Sequence, residues 1–286
     1  MRILFTIPHY FGPGPSCYGS TDTSKRKQRI DSLRSCIASL HQHFGRSQNL
    51  LLQHGGGTQQ VNQMLSNDID VVVCVNGSNH LLDELGLPPG SYQSREFIMD
   101  NPLFLGFSCY EVLREANNHY DWYCYLEDDI VVSDSLFFCK LQEFYRVINN
   151  ARYLLQPNRY ELGADPDFSK VYVDGPIWSD SAEFLSELRL PGCCDEIMVK
   201  FGASAFRMTP TPNPHSGCFF LTNVHLHHLL EQPWYGNLTV GYAGPLESAA
   251  TQYLITLFHV FKPDLECLSF LEVHHHHQKY VKNYLL

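Results

Sequence analysis

Three adjacent acids, Glu127-Asp128-Asp129, follow directly on the apolar, aromatic run Trp122-Tyr123-Cys124-Tyr125-Leu126. Such a run suits a strand covered on both faces. Three carboxylates cannot continue it into a dry core, because each unpaired charge is costly to bury. Their natural place is the carboxyl end of a central strand, where an open α/β sheet presents its ligand crevice. Hard oxygen ligands there suit Mg2+ or Mn2+, shared with substrate phosphates. The plainer reading is an acidic turn before a helix that starts at Ser133-Asp134, ahead of Leu136. Two other groups carry chemistry. Glu247 stands in the first turn of an apolar helix that runs to Phe261, where the helix dipole favours a carboxylate. His274 to His277 close a final predicted strand over residues 267–273, and alternate side chains diverge there, so that one or two of the four face inward.

The elements that position these groups follow from periodicity. Residues 2–8 read as a buried strand that runs into a loop rich in Gly and Pro, with Pro8, His9 and Tyr10 at the strand end, beside a bound nucleotide. Tyr10 is placed to stack on a base. The loop matches neither G-x-G-x-x-G nor a Walker A sequence. Residues 23–44 form a helix on Ile30, Leu33, Ile37 and Leu40, ended by Gly45. A short strand at 49–53, a glycine break and a weaker helix at 58–65 follow. A strand at 69–75 ends at Asn76-Gly77. A short helix, a Pro-Pro-Gly turn and an irregular piece lead to a helix at 101–118. After the central strand comes a helix at 134–149. Strand and helix alternate through the first 150 residues, which predicts an α/β fold: a Rossmann-type, mixed but mainly parallel sheet flanked by helices, with a nucleotide over the carboxyl ends of its strands. The second half is less regular, with strands at 153–155, 170–173 and 217–222 and a short helix at 181–188.

The chain has 286 residues, enough for one domain over 1–286, with 1–150 as its nucleotide-binding half and 151–286 as its acceptor and metal-completing half. A formal charge of −10 argues against a nucleic-acid partner. The one basic run, Lys25-Arg26-Lys27, is a solvated helix face or approaches a phosphate. No apolar run is long enough to span a bilayer, and no signal peptide is expected. The ten cysteines read as free thiols of a cytoplasmic protein, which makes the Asn-x-Ser/Thr triplets at Asn76 and Asn237 chance matches.

The segment YLEDDIVVSDSLFFCKLQEFY resembles the metal-binding segment of GT-A-fold glycosyltransferases, and among them N-acetylglucosaminyltransferase I-type and lipopolysaccharide glycosyltransferase enzymes. In these an acidic DxD-type triplet, often EDD, holds a divalent cation on a nucleotide-sugar diphosphate. The resemblance implies a metal-dependent glycosyltransferase acting on a nucleotide-sugar donor, a UDP-sugar above all. The acceptor is a hydroxyl on a glycan, a lipid-linked or a small molecule, and the enzyme is cytoplasmic or peripheral to a membrane. It implies that Asp129 binds the cation, with Asp128 or Glu127 on the ribose or the metal's waters. A histidine after the final strand completes the metal shell, His275 ahead of His274, and carboxylate plus imidazole favours Mn2+ over Mg2+. Glu247 becomes the base that takes the acceptor proton, with inversion. Asn76 becomes the contact to base or ribose, where the family often uses Asp. Arg95 and Asn101 fall near the donor, and His215 and Ser216 near the acceptor. The alternatives are a nucleotidyltransferase, whose Gly-rich basic signature HYFGPGPS lacks, a GT-B enzyme, for which the chain is short, and a non-catalytic sugar- or nucleotide-binding module with the same fold.

Overall fold

A computed structural model describes residues 1–14, 19–163, 166–176, 190–276 and 278–284. The helix expected at 181–188 and His277 lie outside the described residues. In chain order the strands are β1 (Arg2–His9), β2 (Asn49–Leu52), β3 (Gly57–Gln60), β4 (Asp68–Asn76), β5 (Gln93–Phe97), β6 (Trp122–Leu126), β7 (Ile130–Val131), β8 (Tyr153–Leu155), β9 (Asn158–Leu162), β10 (Lys170–Tyr172), β11 (Ile197–Phe201), β12 (Ser204–Pro210), β13 (Cys218–Thr222), β14 (His259–Pro263) and β15 (Glu272–His275). The α-helices are α1 (Arg26–Phe44), α2 (Leu105–Glu115), α3 (Phe137–Ile148), α4 (Asn223–Leu230), α5 (Pro245–Leu257) and α6 (Lys279–Tyr284).

The central sheet has the order β13-β6-β1-β4-β5. β6, β1, β4 and β5 run parallel, and β13 is antiparallel to β6. The fold is therefore mixed α/β with a mainly parallel central sheet between helices, as the alternation of the first half predicts. β1 is buried at every position but its first because both its faces are covered. Ile3, Phe5 and Ile7 turn to one side, into a cluster with Leu33, Ile37 and Leu40 of α1 and Phe138 of α3. Leu4 turns to the other, with Leu113 of α2 and Leu254 of α5. Rings carry much of both layers: Phe44 meets Phe138 edge-on at 5.0 Å, and Tyr125 stacks on Phe219 at 5.2 Å.

Beside the central sheet the described residues form two four-stranded sheets, β10-β9-β15-β7 and β11-β12-β14-β8, and the two-stranded β2-β3. The first matters most for function. β7, just after the acidic triplet, pairs antiparallel with β15, and β15 pairs parallel with β9.

Several local expectations shift. The helix expected at 58–65 is absent: β3 pairs with β2 in an exposed hairpin, because Gly55 and Gly56 stand in its turn and Gly55 and Gly57 take positive φ. α1 starts three residues later than expected, after a 3-10 turn over Thr23–Lys25 capped by Asp22. α2 is likewise preceded by a 3-10 turn, Pro102–Phe104. The piece read as irregular contains the edge strand β5. Among the described residues no helix is long and apolar enough to cross a membrane.

Candidate active site

A cavity of about 1190 Å3, open mouth included, lies at the carboxyl ends of the parallel strands. Residues far apart in sequence line it: Pro8 and Tyr10 after β1, Glu127, Asp128 and Asp129 after β6, Arg159 on β9, Glu247 on α5, and His275 on β15.

The triplet is held by a turn in which Ile130 N–H donates to Glu127 O at 3.0 Å, while Glu127 N–H donates to Gly217 O at 2.7 Å. Gly217 has φ +61°, and a Cβ there would come within 2.8 Å of Glu127 Oε2, so the close approach requires glycine. The three acids then meet different surroundings. Asp128 is buried, 2.6 Å from His9 Nδ1 and 2.5 Å from an Arg29 nitrogen. Asp129 faces His275, with Nε2 3.4 Å from Oδ2, and Arg29 Nη1 3.8 Å away. Glu127 lies 3.8 Å from His215 Nε2. Burial, followed by the Asp129 carboxylate, pushes Glu127 up to about 8, against the pull of Arg159.

His275 reaches this place through sheet register. Pairing of His275 with Ile130 sets it beside the triplet, and His276 N–H donates to Asp129 O at 2.8 Å. Strand alternation sends His274 to the other face, where it stacks on Tyr160. Nδ1 of His275 is bonded to the fully buried carboxylate of Glu161 at 2.8 Å. Burial opposes charge on the imidazole, but Asp129 and the hydrogen bonds to both carboxylates outweigh it and lift it to about 10.

Glu247 stands in the first turn of α5, after Gly244 as N-cap and Pro245. The helix is set close to the sheet by small residues. A Cβ on Gly106 would meet Ala249 Cβ at 2.7 Å and Tyr125 Oη at 2.9 Å. The preceding turn is pinned by Ser248 Oγ, which accepts from Tyr242 N–H at 3.1 Å and donates to Tyr242 O at 2.7 Å.

Four expected site residues are engaged elsewhere. His9 is fully buried and does not line the cavity: Leu81 N–H donates to its Nε2 at 3.2 Å, which leaves Nδ1 to donate to Asp128. Burial keeps its pKa below the usual histidine value, and its job is to orient Asp128. Asn76 also lies off the cavity, clamping the backbone of Met99 through both ends of its amide, at 3.0 and 3.1 Å. Arg95 pairs with Glu115 on the surface. Ser216 Oγ donates to Pro157 O. Asn101 caps the 3-10 turn that carries the lining residues Pro102 and Leu103. His215 does line the cavity, its Nδ1 2.9 Å from Thr251 Oγ1.

Sequence reasoning missed Arg29, Arg159, Glu161, Lys279 and Tyr280. An arginine on the polar side of α1 and a charged pair in the short strand Asn158–Leu162 carry no local mark of a site. Of the basic run, Lys25 lines the cavity, while Arg26 pairs with Glu84 and Lys27 with Asp31.

A divalent cation fits this chemistry in part. Among the described residues no three His, Cys, Asp or Glu side chains are grouped to hold a metal by themselves. Asp129 and His275 do face each other, with the second imidazole nitrogen on a buried carboxylate, the arrangement that aims and strengthens a histidine ligand. Two protein ligands suit a hard cation that takes its remaining oxygens from phosphate and water.

No family model matches the sequence, and no curated protein matches it. The fold is similar to a solved structure of GalNAc-T7 with UDP, GalNAc and Mn2+, at 13% identity and a TM-score of 0.46, over 96% of this chain. The chain spans 43% of that structure's length. So distant a likeness decides neither substrate nor chemistry; the cavity's own residues have to.

Proposed function

We propose that the protein is a GT-A-fold glycosyltransferase that moves a hexosyl or N-acetylhexosaminyl group from a nucleotide sugar, a UDP-sugar above all, to a hydroxyl acceptor with inversion. The observation that carries this reading is convergence. Glu247 and His275 lie well over a hundred residues after the acidic triplet, yet all of them line one cavity at the carboxyl ends of parallel strands. The whole chain is read as one domain, its first half holding the donor and its second completing the acceptor side.

Pro8 and Tyr10 form the wall for the nucleoside. Lys25, Arg29 and Lys279 bring positive charge toward the diphosphate. Asp129 and His275 would hold Mn2+ or Mg2+, which when bound neutralises charge on the departing diphosphate. Asp128, fixed by His9 and Arg29, and Glu127 stand ready for ribose or metal-bound water. Glu247 takes the acceptor proton as the hydroxyl oxygen attacks the anomeric carbon and the bond to the diphosphate breaks. Attack opposite the leaving group inverts the centre.

The test is thermal stability against UDP-, GDP-, CMP- and dTDP-sugars, with and without Mn2+. A ligand at a hundred times its Kd stabilises the native state by about 2.7 kcal/mol. One nucleotide should raise Tm only with Mn2+, and Asp129→Ala should abolish the rise. Glu247→Gln should keep the rise but lose sugar transfer. No rise with any nucleotide would leave the triplet as a structural turn.

A further inference from the structure

The fully buried carboxylate of Glu161, on β9, does more than hold the His275 imidazole: two parts of the site meet on it. One oxygen is 2.8 Å from His275 Nδ1. The same carboxylate accepts the backbone N–H of Tyr280, at 3.1 and 3.0 Å to its two oxygens, and that of Val281 at 2.8 Å. Those amides belong to α6, whose Lys279 and Tyr280 line the cavity. Val281 is buried beside them, and the Tyr280 ring lies 5.7 Å from the His275 ring. Gln278 adds a tie to the same strand, donating to Leu162 O at 2.7 Å.

We propose that Glu161 is a positioning residue that couples His275 to the C-terminal segment, so that cation capture at Asp129 and His275 and the seating of Lys279 and Tyr280 against the cavity reinforce each other. This rests on the donor-site reading. The physical basis is a shared acceptor. A carboxylate that holds the imidazole also holds two amides, so fixing one set lowers the ordering cost of the other. A neutral amide at this position has only one accepting oxygen for three donors.

The experiment titrates Mn2+ in the presence of UDP, following Mn2+ by electron paramagnetic resonance and the amides of residues 278–284 by hydrogen exchange. In the wild type, Mn2+ and UDP should slow exchange at Tyr280 and Val281. Glu161→Gln should weaken Mn2+ binding roughly 10- to 100-fold, as loss of a ligand's outer partner does, and abolish the slowing. His275→Ala should lose Mn2+ yet keep the metal-free protection of both amides, since Glu161 still accepts them. Glu161→Asp, which keeps the charge, should restore part of both effects. Unchanged Mn2+ affinity in Glu161→Gln, with the wild type binding normally, sinks this inference and spares the donor site. So does a wild type whose exchange ignores bound Mn2+, a result that needs no variant. A wild type that binds no Mn2+ even with UDP overturns both.

Discussion

Glu127, whose side chain is 19% exposed, and Asp174, 1% exposed, are carboxylates that share a neighbour, Arg159, yet the first is pushed up to about 8 and the second is held down at about 2. Burial acts on both in the same direction. The partners differ. Asp174 accepts from Arg159 Nε at 2.9 Å, from Arg159 N–H at 3.0 Å and from Lys262 Nζ at 2.8 Å, so two cations outweigh its desolvation. Lys262 also donates to the backbone O of His215, which fastens the cluster to the cavity wall. Glu127 instead faces Asp129 and Glu247, and the influence of Arg159 does not compensate. One acid is satisfied by the fold. The other is left in want of positive charge, on the side where a ligand would enter. A carboxylate whose charge the fold completes belongs to structure; one that the fold leaves incomplete beside a cavity is a candidate for a ligand's charge.

The largest test of this contrast is Asp174→Asn. It strands Arg159 and Lys262 as buried cations, and removing one partner of such a cluster costs about 3–5 kcal/mol. Urea unfolding should show a loss of that order; a loss below about 1 kcal/mol would erase the distinction.

A second test uses a buried group remote from the triplet. His225 packs against Tyr145 at 4.8 Å and Phe258 at 5.4 Å, and burial lowers it to about 4. Its folded pKa lies below its unfolded value, so the unfolded chain binds more protons between about 4 and 6.5. Stability should therefore be full above that window and fall as pH drops through it, by up to about 3 kcal/mol from this group. His215, also lowered by burial, adds to the same fall. Tm measured against pH should be visibly flatter over that window in His225→Gln. An unchanged slope would mean that His225 is not held neutral by the fold.

The smallest expected effect is that of Glu127→Gln. Removing an acid that the fold does not compensate should leave stability within about 1 kcal/mol of wild type. Donor-dependent thermal shifts should nevertheless diminish, because the cavity loses its complement to a ligand's cation. A stability loss matching that of Asp174→Asn would show that Glu127 is as much a part of the scaffold as its counterpart.

The amino-acid sequence by itself determined the parts set by near neighbours. An unbroken aromatic strand ending in three acids, helices of period 3.6 beside it, and Glu247 at the start of an apolar helix are local facts that appear in the structure, although that helix ends at Leu257 instead of running to Phe261, because His259–Pro263 pair as β14 with β8 and β12. Alternation along a strand likewise dictated that only one of His274 and His275 would face the cavity. Tertiary structure decided what depends on pairing between distant strands. The register of β15 against β7 brings His275 to Asp129, and that of β15 against β9 brings in Arg159 and Glu161. It also removed His9 and Asn76 from the cavity, by giving each a nearer partner in Asp128 and Met99. Side-chain chemistry is written residue by residue, but a hydrogen-bonding group goes to whatever acceptor the fold sets beside it, and for residues more than a hundred positions apart only the closed sheets determine which acceptor that is.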